Sequence, residues 1–407
     1  MVADIGEVLL TPACIADPYA ALLGIRAEDP VLWSSAMGGW VLTRYDDIVV
    51  TFKDTDTFGN EGRMTRALDH LEPASQKKLG PFRDHYTTKG LIHSDPPDHT
   101  RIRRLVLKAF TPPVIEAMRP QIQGIVDDLL DGIEPHGKSE FIEEFAFALP
   151  VTVLAVILGV PRSDAPRFRR WADDLLAFQG RNKPSEATLL TAQAALGEQR
   201  AYLKDLIATK RADPDESLLA HLVAAESAGD ALSEDELINT CVTFLVAGHE
   251  TTTSLIGNGV LTLLQHPEQW EALKTDRSLV SPAVEEILRF ESPVARQPRL
   301  IRHDTELGGK SLKQGDIAFQ MLNAANRDPE HFADPDTFDI HRERNKHIAF
   351  GLGPHFCVGA PLSRAEGQIA LTTLADRFPN LTLDDPEPRW DLAKPNSRVL
   401  TELRVSW

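Results

Sequence analysis

Hydrophobic positions at 114, 118, 122, 125, 129 and 133 (Val114, Met118, Ile122, Ile125, Leu129, Ile133) recur every three to four residues, which predicts an amphipathic helix over 114–133. The stretch 141–160 is apolar nearly throughout. It reads as a buried helix broken at Pro150 and Gly159; the interruptions and acids argue against a membrane insert. Residues 161–227 predict two or three helices, joined by polar loops at Asn182-Lys183-Pro184-Ser185 and at 211–214. A later run carries Leu237, Cys241, Phe244, Leu245, Leu255 and Ile256. It is apolar around most of its circumference, so it should cross the protein centre, opened by a capping box of Ser233 and Glu236. Further helices are expected over 17–23, stopped by Gly24, and over 45–54, 282–290 and 362–374. The β-rich runs 31–33 and 40–43 around Met37-Gly38-Gly39 predict a hairpin. A second turn at Leu307-Gly308-Gly309 precedes a strand over 316–321, and the chain is β-rich beyond 391. Residues 55–98 are the least regular, with glycines at 59, 62, 80 and 90 and one short helix expected between Met64 and Leu71.

Composition narrows the class. The 407 residues are 42% hydrophobic, enough for a large core, and length alone would suggest two or three domains. A net charge of -17 disfavours general nucleic-acid binding. The three cysteines Cys14, Cys241 and Cys357 lie far apart and fit a reducing compartment without disulfides. No basic-then-apolar leader opens the chain and no apolar run reaches membrane length. The expectation is a soluble cytoplasmic protein, with no membrane and no nucleic acid among its partners.

Chemistry concentrates in two places. The first is Cys357, set among Gly351, Gly353 and Gly359, which would let the backbone approach a flat ligand. Its thiolate can be structural, nucleophilic or a metal ligand. No second cysteine lies nearby for zinc or an iron–sulfur cluster, and His355 is a weak candidate base. The remaining option is an axial ligand to a haem iron. The second place is Ala247-Gly248-His249-Glu250-Thr251, inside the buried helix. Glycine there weakens a helix by roughly 1 kcal/mol, Glu250 needs a partner or a route to water, and Thr251 can divert a backbone hydrogen bond to its hydroxyl. Those costs make sense together if dioxygen is bound beside the helix. Gly248 would leave room, Thr251 would hydrogen bond, and Glu250 would relay protons. His249 is expected to pack or bond on the far side, and Cys241 to act as a small buried hydrophobe.

The run from Phe350 through Gly351, Gly353, His355 and Cys357 to Gly359 resembles the haem-binding loop of the cytochrome P-450 family, soluble bacterial type. Other stretches resemble the same family. They are 94–104 with His99 and Arg103, the Ala-Gly-x-acid-Thr segment 247–251, Glu286-x-x-Arg289 with Phe338 to Arg342, and 292–299 with Arg299. The resemblance implies a mainly α fold with a smaller β-rich subregion, a triangular prism of helices around haem, as a single domain of residues 1–407. It implies that Cys357 ligates the iron of haem b (iron protoporphyrin IX), beside Gly351 and Gly359. His99, Arg103, Arg299 and His355 would meet the propionates, with amides of residues 358 and 359 on the sulfur. Gly248, Glu250 and Thr251 would serve catalysis. Glu286, Arg289 and Arg342 would brace the cysteine loop as architecture. Phe244, Leu245, Ala247, Val294 and Ala295 would line the substrate pocket. Leu176 and Phe178 either touch substrate, under a lid near 170–200, or pack in the core.

Two charged features stand apart. Arg296 follows the pocket segment and either points outward or meets an anionic substrate; the cost of burying charge favours outward. His341, Arg342, Arg344, Lys346 and His347 form a basic cluster that could steer an acidic electron donor. Arg63 and the other basic residues of 55–98 are not individually expected at the substrate. The family implies a monooxygenase acting on a small organic substrate. Its electrons would come from NAD(P)H through a reductase and a ferredoxin- or flavodoxin-like protein, since no CxxC cluster or spare length remains for an attached donor domain. A monomer is expected. The alternatives are a haem-carrying binder, which would show a damaged acid–Thr pair, and a peroxide-using enzyme, which would carry Arg-Pro there.

Overall fold

The periodic stretch 114–133 forms the 22-residue helix Pro112–Ile133. Val114 is exposed and Ile115 buried, so the core face is Ile115, Ile122, Ile125, Val126 and Ile133. The computed structural model describes residues 5–108, 110–179, 181, 183–215, 217–226 and 232–407. Asn182, expected in a loop, lies outside the described residues. Helices Val280–Phe290, Ala360–Arg377 and Glu250–Gln265 pack together, and Ala360–Arg377 also packs on Pro112–Ile133. This four-helix group fixes the segment that follows Cys357.

Several expectations shift for identifiable reasons. Gly24 does not stop a helix but sits inside Tyr19–Glu28, with open space around its α-carbon. Pro150 does not break the 141–160 run. It stands third in Ala148–Leu158, where the amide that proline lacks has no helical partner. A π-helical turn, Ile142–Ala146, precedes it, and Gly159 at φ +66 does end it. The segment 55–98 holds more helix than expected. A 3-10 turn Met64–Leu68 is followed by Pro73–Lys78 and Gly80–Thr87, each with proline in its first turn. Among the described residues of 161–226, a 3-10 turn Arg162–Asp164 is followed by three α-helices, Ala165–Leu176, Glu186–Ala212 and Leu218–Glu226. Phe178 packs against Phe82 and Tyr86 at 5.2 and 6.0 Å between ring centres, so it belongs to the core.

The hairpin Val31–Ser34 and Gly39–Leu42 forms as the sequence predicts. It extends into a five-stranded sheet in the order 31–34, 39–42, 317–321, 296–301, 58–59. A second hairpin turns at Gly308 and Gly309, both at positive φ. Val31, Leu42, Ile48, Phe52, Phe332 and Ile348 pack under the large sheet as a core of their own. The main core runs from Met64 to Val405. Among the described residues no helix is long and apolar enough to cross a membrane.

Candidate functional site

The cysteine loop is shaped by contact with Phe52. Gly351 and Gly353 both sit at φ +69, where a side chain is strained. A Cβ on Gly353 would lie 2.6 Å from the Phe52 carbonyl oxygen, and one on Gly351 3.3 Å from its ring. Gly359 has φ −79 and would place a Cβ in ordinary contact, 3.9 Å from the Cys357 sulfur. The Cys357 amide donates to the Phe350 carbonyl at 3.0 Å. The amide of Gly359, as expected, acts on its sulfur, and that of Ala360 takes the place expected for residue 358. Both amides stand at the start of the helix that begins at Ala360, where no earlier helical carbonyl claims them, although Ala360 also donates to the Cys357 carbonyl at 3.4 Å. Burial pushes the thiol up, while the Gly359 amide and the Arg103 guanidinium act to lower it.

Beside the loop lies a cluster of cations and imidazoles. The His99 and His355 rings are 4.0 Å apart. Both ring nitrogens of His99 are buried without a hydrogen-bond partner. Burial, then His355 and Arg103, push His99 down to about 3. Arg299 is 5% exposed, lies over the Phe52 ring at 5.2 Å, and donates to the Pro298 carbonyl. Burial and then Arg63 push its guanidinium down to about 9. The sequence reading missed Arg63 and His93. Arg63 Nε and His93 Nδ1 are buried and unpartnered. Burial lowers Arg63 to about 10 and His93 well below its ordinary range. Asp95, a carboxylate close by, is already engaged. It accepts from the amides of Asn60 and Glu61 at 3.0 Å, and Arg302 stands 3.3 Å away. His355 Nε2 lies 3.5 Å from its Oδ1, long for a hydrogen bond. Like charges this close, with orphaned donors, fit a ligand bearing carboxylates. The two propionates of a haem answer that description, and the half-buried Cys357 beside Arg103 fits its iron.

The central helix is interrupted. Glu234–Ala247 ends and Glu250–Gln265 begins across Gly248 and His249. Thr251 Oγ1 donates to the Ala247 carbonyl at 2.9 Å, the diversion that its position predicts. His249 Nδ1 lies 3.0 Å from the Leu245 carbonyl, and its ring is buried. Gly248 stands close to a neighbouring helix. A Cβ there would meet the Phe244 carbonyl oxygen at 2.8 Å and the Leu154 methyls at 3.1 Å. A side chain there would run into the helix Ala148–Leu158. Phe244, Ala247 and Thr251 share one stripe and are partly to fully exposed. Leu245 lies off the stripe in the main core. Glu250 Oε2 is 2.5 Å from Lys394 Nζ. Val294 is half-buried, and the Ala295 amide donates to the Asn396 carbonyl at 2.9 Å.

The bracing network is present in full. Glu286 accepts both Nε and Nη2 of Arg289 at 2.8 Å, with both side chains at 0% exposure. Arg342 Nε joins at 3.2 Å, and the Asn345 side chain and the Asp339 amide add bonds of 3.0 and 2.9 Å. The basic cluster thins out as a result. Arg342 belongs to this network and His347 pairs with Glu285 at 3.0 Å. His341, Arg344 and Lys346 stay exposed. Arg296 departs from the sequence expectation: it points inward, at 2% exposure. Cys241 is fully buried, which pushes its thiol up to about 12.

The family model described as cytochrome P-450 matches residues 63–403. Cytochrome P-450 107B1 of Saccharopolyspora erythraea is 43% identical over 88% of this chain and 86% of its own length. Vitamin D(3) 25-hydroxylase of Pseudonocardia autotrophica is 40% identical over 90% and 88%. Among solved structures, BioI of the same family, in complex with hexadec-9Z-enoic acid ligated acyl carrier protein, superposes with a TM-score of 0.87. It is 36% identical and covers 98% of this chain and 100% of its own.

Proposed function

The chain belongs to the cytochrome P-450 family, and from that membership we propose that it is a haem-thiolate monooxygenase placing one atom of dioxygen into a small organic substrate. One observation carries the reading. A half-buried cysteine at a helix N-terminus adjoins a cluster of cations and imidazoles whose one nearby carboxylate, Asp95, is already engaged by the amides of Asn60 and Glu61. When bound, haem b supplies the dioxygen activation and the oxidation of the substrate.

The protein's own residues do the rest. Cys357 would hold the iron, its sulfur tuned by the amides of Gly359 and Ala360. His99, Arg103, Arg299 and His355 would receive the propionates, and Arg63 and His93 would join them. Thr251 commits its proton to the Ala247 carbonyl and offers its lone pairs to a water on the exposed stripe. Glu250, tied to Lys394, stands one residue away as the group that passes protons inward. An acid and a threonine at these positions, in place of Arg-Pro, support the route that uses dioxygen and a reductant. The electrons would come from a ferredoxin- or flavodoxin-like protein, reduced from NAD(P)H by its reductase. The exposed His341, Arg344 and Lys346 offer such an acidic donor a positive surface. One main core from Met64 to Val405 supports reading the chain as one domain. A relative named for vitamin D(3) and a structure holding an unsaturated acyl chain both point to a largely apolar substrate.

The test is the carbon monoxide difference spectrum of the dithionite-reduced protein. The red-shifted Soret band of a thiolate-ligated haem is expected, and should be lost in Cys357→Ser. A band typical of histidine ligation in folded protein, or no haem at all, would overturn the proposal.

A further inference from the structure

Buried guanidinium groups are costly unless paired, and this protein pairs most of its own. Arg289 has Glu286, and Arg327 and Arg398 both have Glu291. Arg63 and Arg299 lack carboxylates within ion-pair distance among the described residues, and the propionate site accounts for both. Arg296 is the case left over. It is 2% exposed, and no carboxylate lies within ion-pair distance among the described residues. Its Nε donates to Asn396 Oδ1 at 2.7 Å and its Nη1 to the Met37 sulfur at 3.6 Å. An amide oxygen and a thioether carry no charge. The titratable group that acts on Arg296 is Cys14, a thiol that burial pushes up and keeps neutral. A glutamine would tether Asn396 equally well without the cost of a buried cation.

Arg296 borders a cavity of about 310 Å³, at the small end of the roughly 300–1,000 Å³ usual for small-molecule sites. Arg181 stands at its exposed rim, and Met37, Phe319, Leu392 and Pro395 supply apolar walls. The cavity adjoins the loop that reaches Glu250. Arg296 directly follows Ala295, whose amide is held by the Asn396 carbonyl. Ala393 and Pro395 line the cavity, while Lys394 between them reaches Glu250. An acid anchored at Arg296 would thus have its apolar body beside the loop that touches the helix carrying Thr251.

We propose that Arg296 is a specificity-determining residue which seats the carboxylate of an apolar carboxylic-acid substrate. This rests on the monooxygenase reading and names its substrate class. With Nε held by Asn396 and one Nη1 contact spent on the Met37 sulfur, the guanidinium keeps Nη2 for one monoanionic head group, and the walls suit a hydrocarbon body.

The experiment compares dodecanoic acid with dodecan-1-ol on the haem-loaded protein near neutral pH, by calorimetry and by the ferric spin-state change. The acid should bind about tenfold or more tightly than the alcohol, as a charge-assisted contact predicts. Arg296→Gln should bring the ratio close to one and leave alcohol binding within about twofold. Asn396→Asp keeps the guanidinium but gives it an internal carboxylate, so it should fold and still lose the preference for acid. Equal binding of acid and alcohol by the unaltered protein would overturn the inference, as would a preference that survives in both variants. The carbon monoxide band is recorded on the same preparations. A normal band without acid preference sinks this inference alone, whereas a missing band sinks the monooxygenase reading beneath it.

Discussion

Lys394 Nζ lies 2.5 Å from Glu250 Oε2 and 3.1 Å from Asp173 Oδ1. Three elements meet there: the helices Glu250–Gln265 and Ala165–Leu176, and the loop after Asp391. Burial works against the ammonium, but Glu250 and then Asp173 outweigh it and hold Lys394 above its ordinary range. Lys394→Met would leave Glu250 half-buried without its cation and untie the loop from both helices. Product formation should fall about tenfold, a loss typical of disturbed proton delivery. More of the NAD(P)H consumed should end as peroxide. Asp173→Asn, which keeps the Glu250 contact, should be milder. The ratio of product to NAD(P)H consumed is the measurement, and an unchanged ratio in Lys394→Met would remove Lys394 from the proton route.

Glu286 is the hinge of the bracing network, since Arg289, Arg342, Asn345 and the Asp339 amide all converge on it. Glu286→Gln keeps the size but leaves two guanidiniums without a counter-charge, one of them fully buried. The expected loss is about 3–5 kcal/mol of folding stability, with little haem retained. Urea unfolding of the apoprotein measures this directly. A loss below about 0.5 kcal/mol, the scale of an ordinary surface change, would contradict the assignment.

The cysteine loop, the capping box at Ser233 and Glu236, and the Glu286–Arg289 pair were legible because each is local: a few residues at fixed spacing determine the geometry. Thr251 was legible for the same reason, its partner being four residues back. Arg63 was not. It follows Asn60 and Glu61, whose amides bond Asp95 over more than thirty positions, a contact that no local spacing announces. The approach of Leu154 to Gly248 was not legible either, because the two are remote in sequence. Arg296 was misjudged by a sound rule, that charge avoids the interior. Asn396 and Met37 receive it from opposite ends of the chain, and neither neutralises it.

Arg299 should act with opposite signs on the two forms of the protein. Without haem it is a buried cation beside Arg63, pushed down to about 9 by burial and by that neighbour. Arg299→Gln removes the repulsion, so the apoprotein should be at least as stable as before. Haem should be lost about ten to a hundred times faster to a scavenging apoprotein, as expected for one charge-assisted contact removed. A purely structural arginine would instead lower apoprotein stability and leave the rate of haem loss unchanged.

Glu366 gives the sharpest pH prediction. It is 2% exposed in the helix Ala360–Arg377, its Oε2 has no partner, and burial pushes its carboxyl up to about 8. The unfolded chain releases this proton near 4.5, whereas the folded one keeps it until about 8. Between those values the unfolded state binds fewer protons, so this residue lowers stability as pH rises, by up to about 1.4 kcal/mol per unit. Other groups titrate nearby. Glu285, held down to about 2 against the pull of burial by His347 and Arg364, stabilises above 4.5 and loses that effect only as pH falls towards 2. Buried His85 and His99, pushed down to about 3, favour folding increasingly as pH rises to 6.5. All three are shared with Glu366→Gln and cancel in the difference between the two proteins. That difference should be small near pH 4.5 and grow to about 3 kcal/mol in favour of the variant at neutral pH, an upper bound from the size of the shift. Thermal melts at a series of pH values across this range measure it, and parallel profiles would show that Glu366 is not a buried neutral acid.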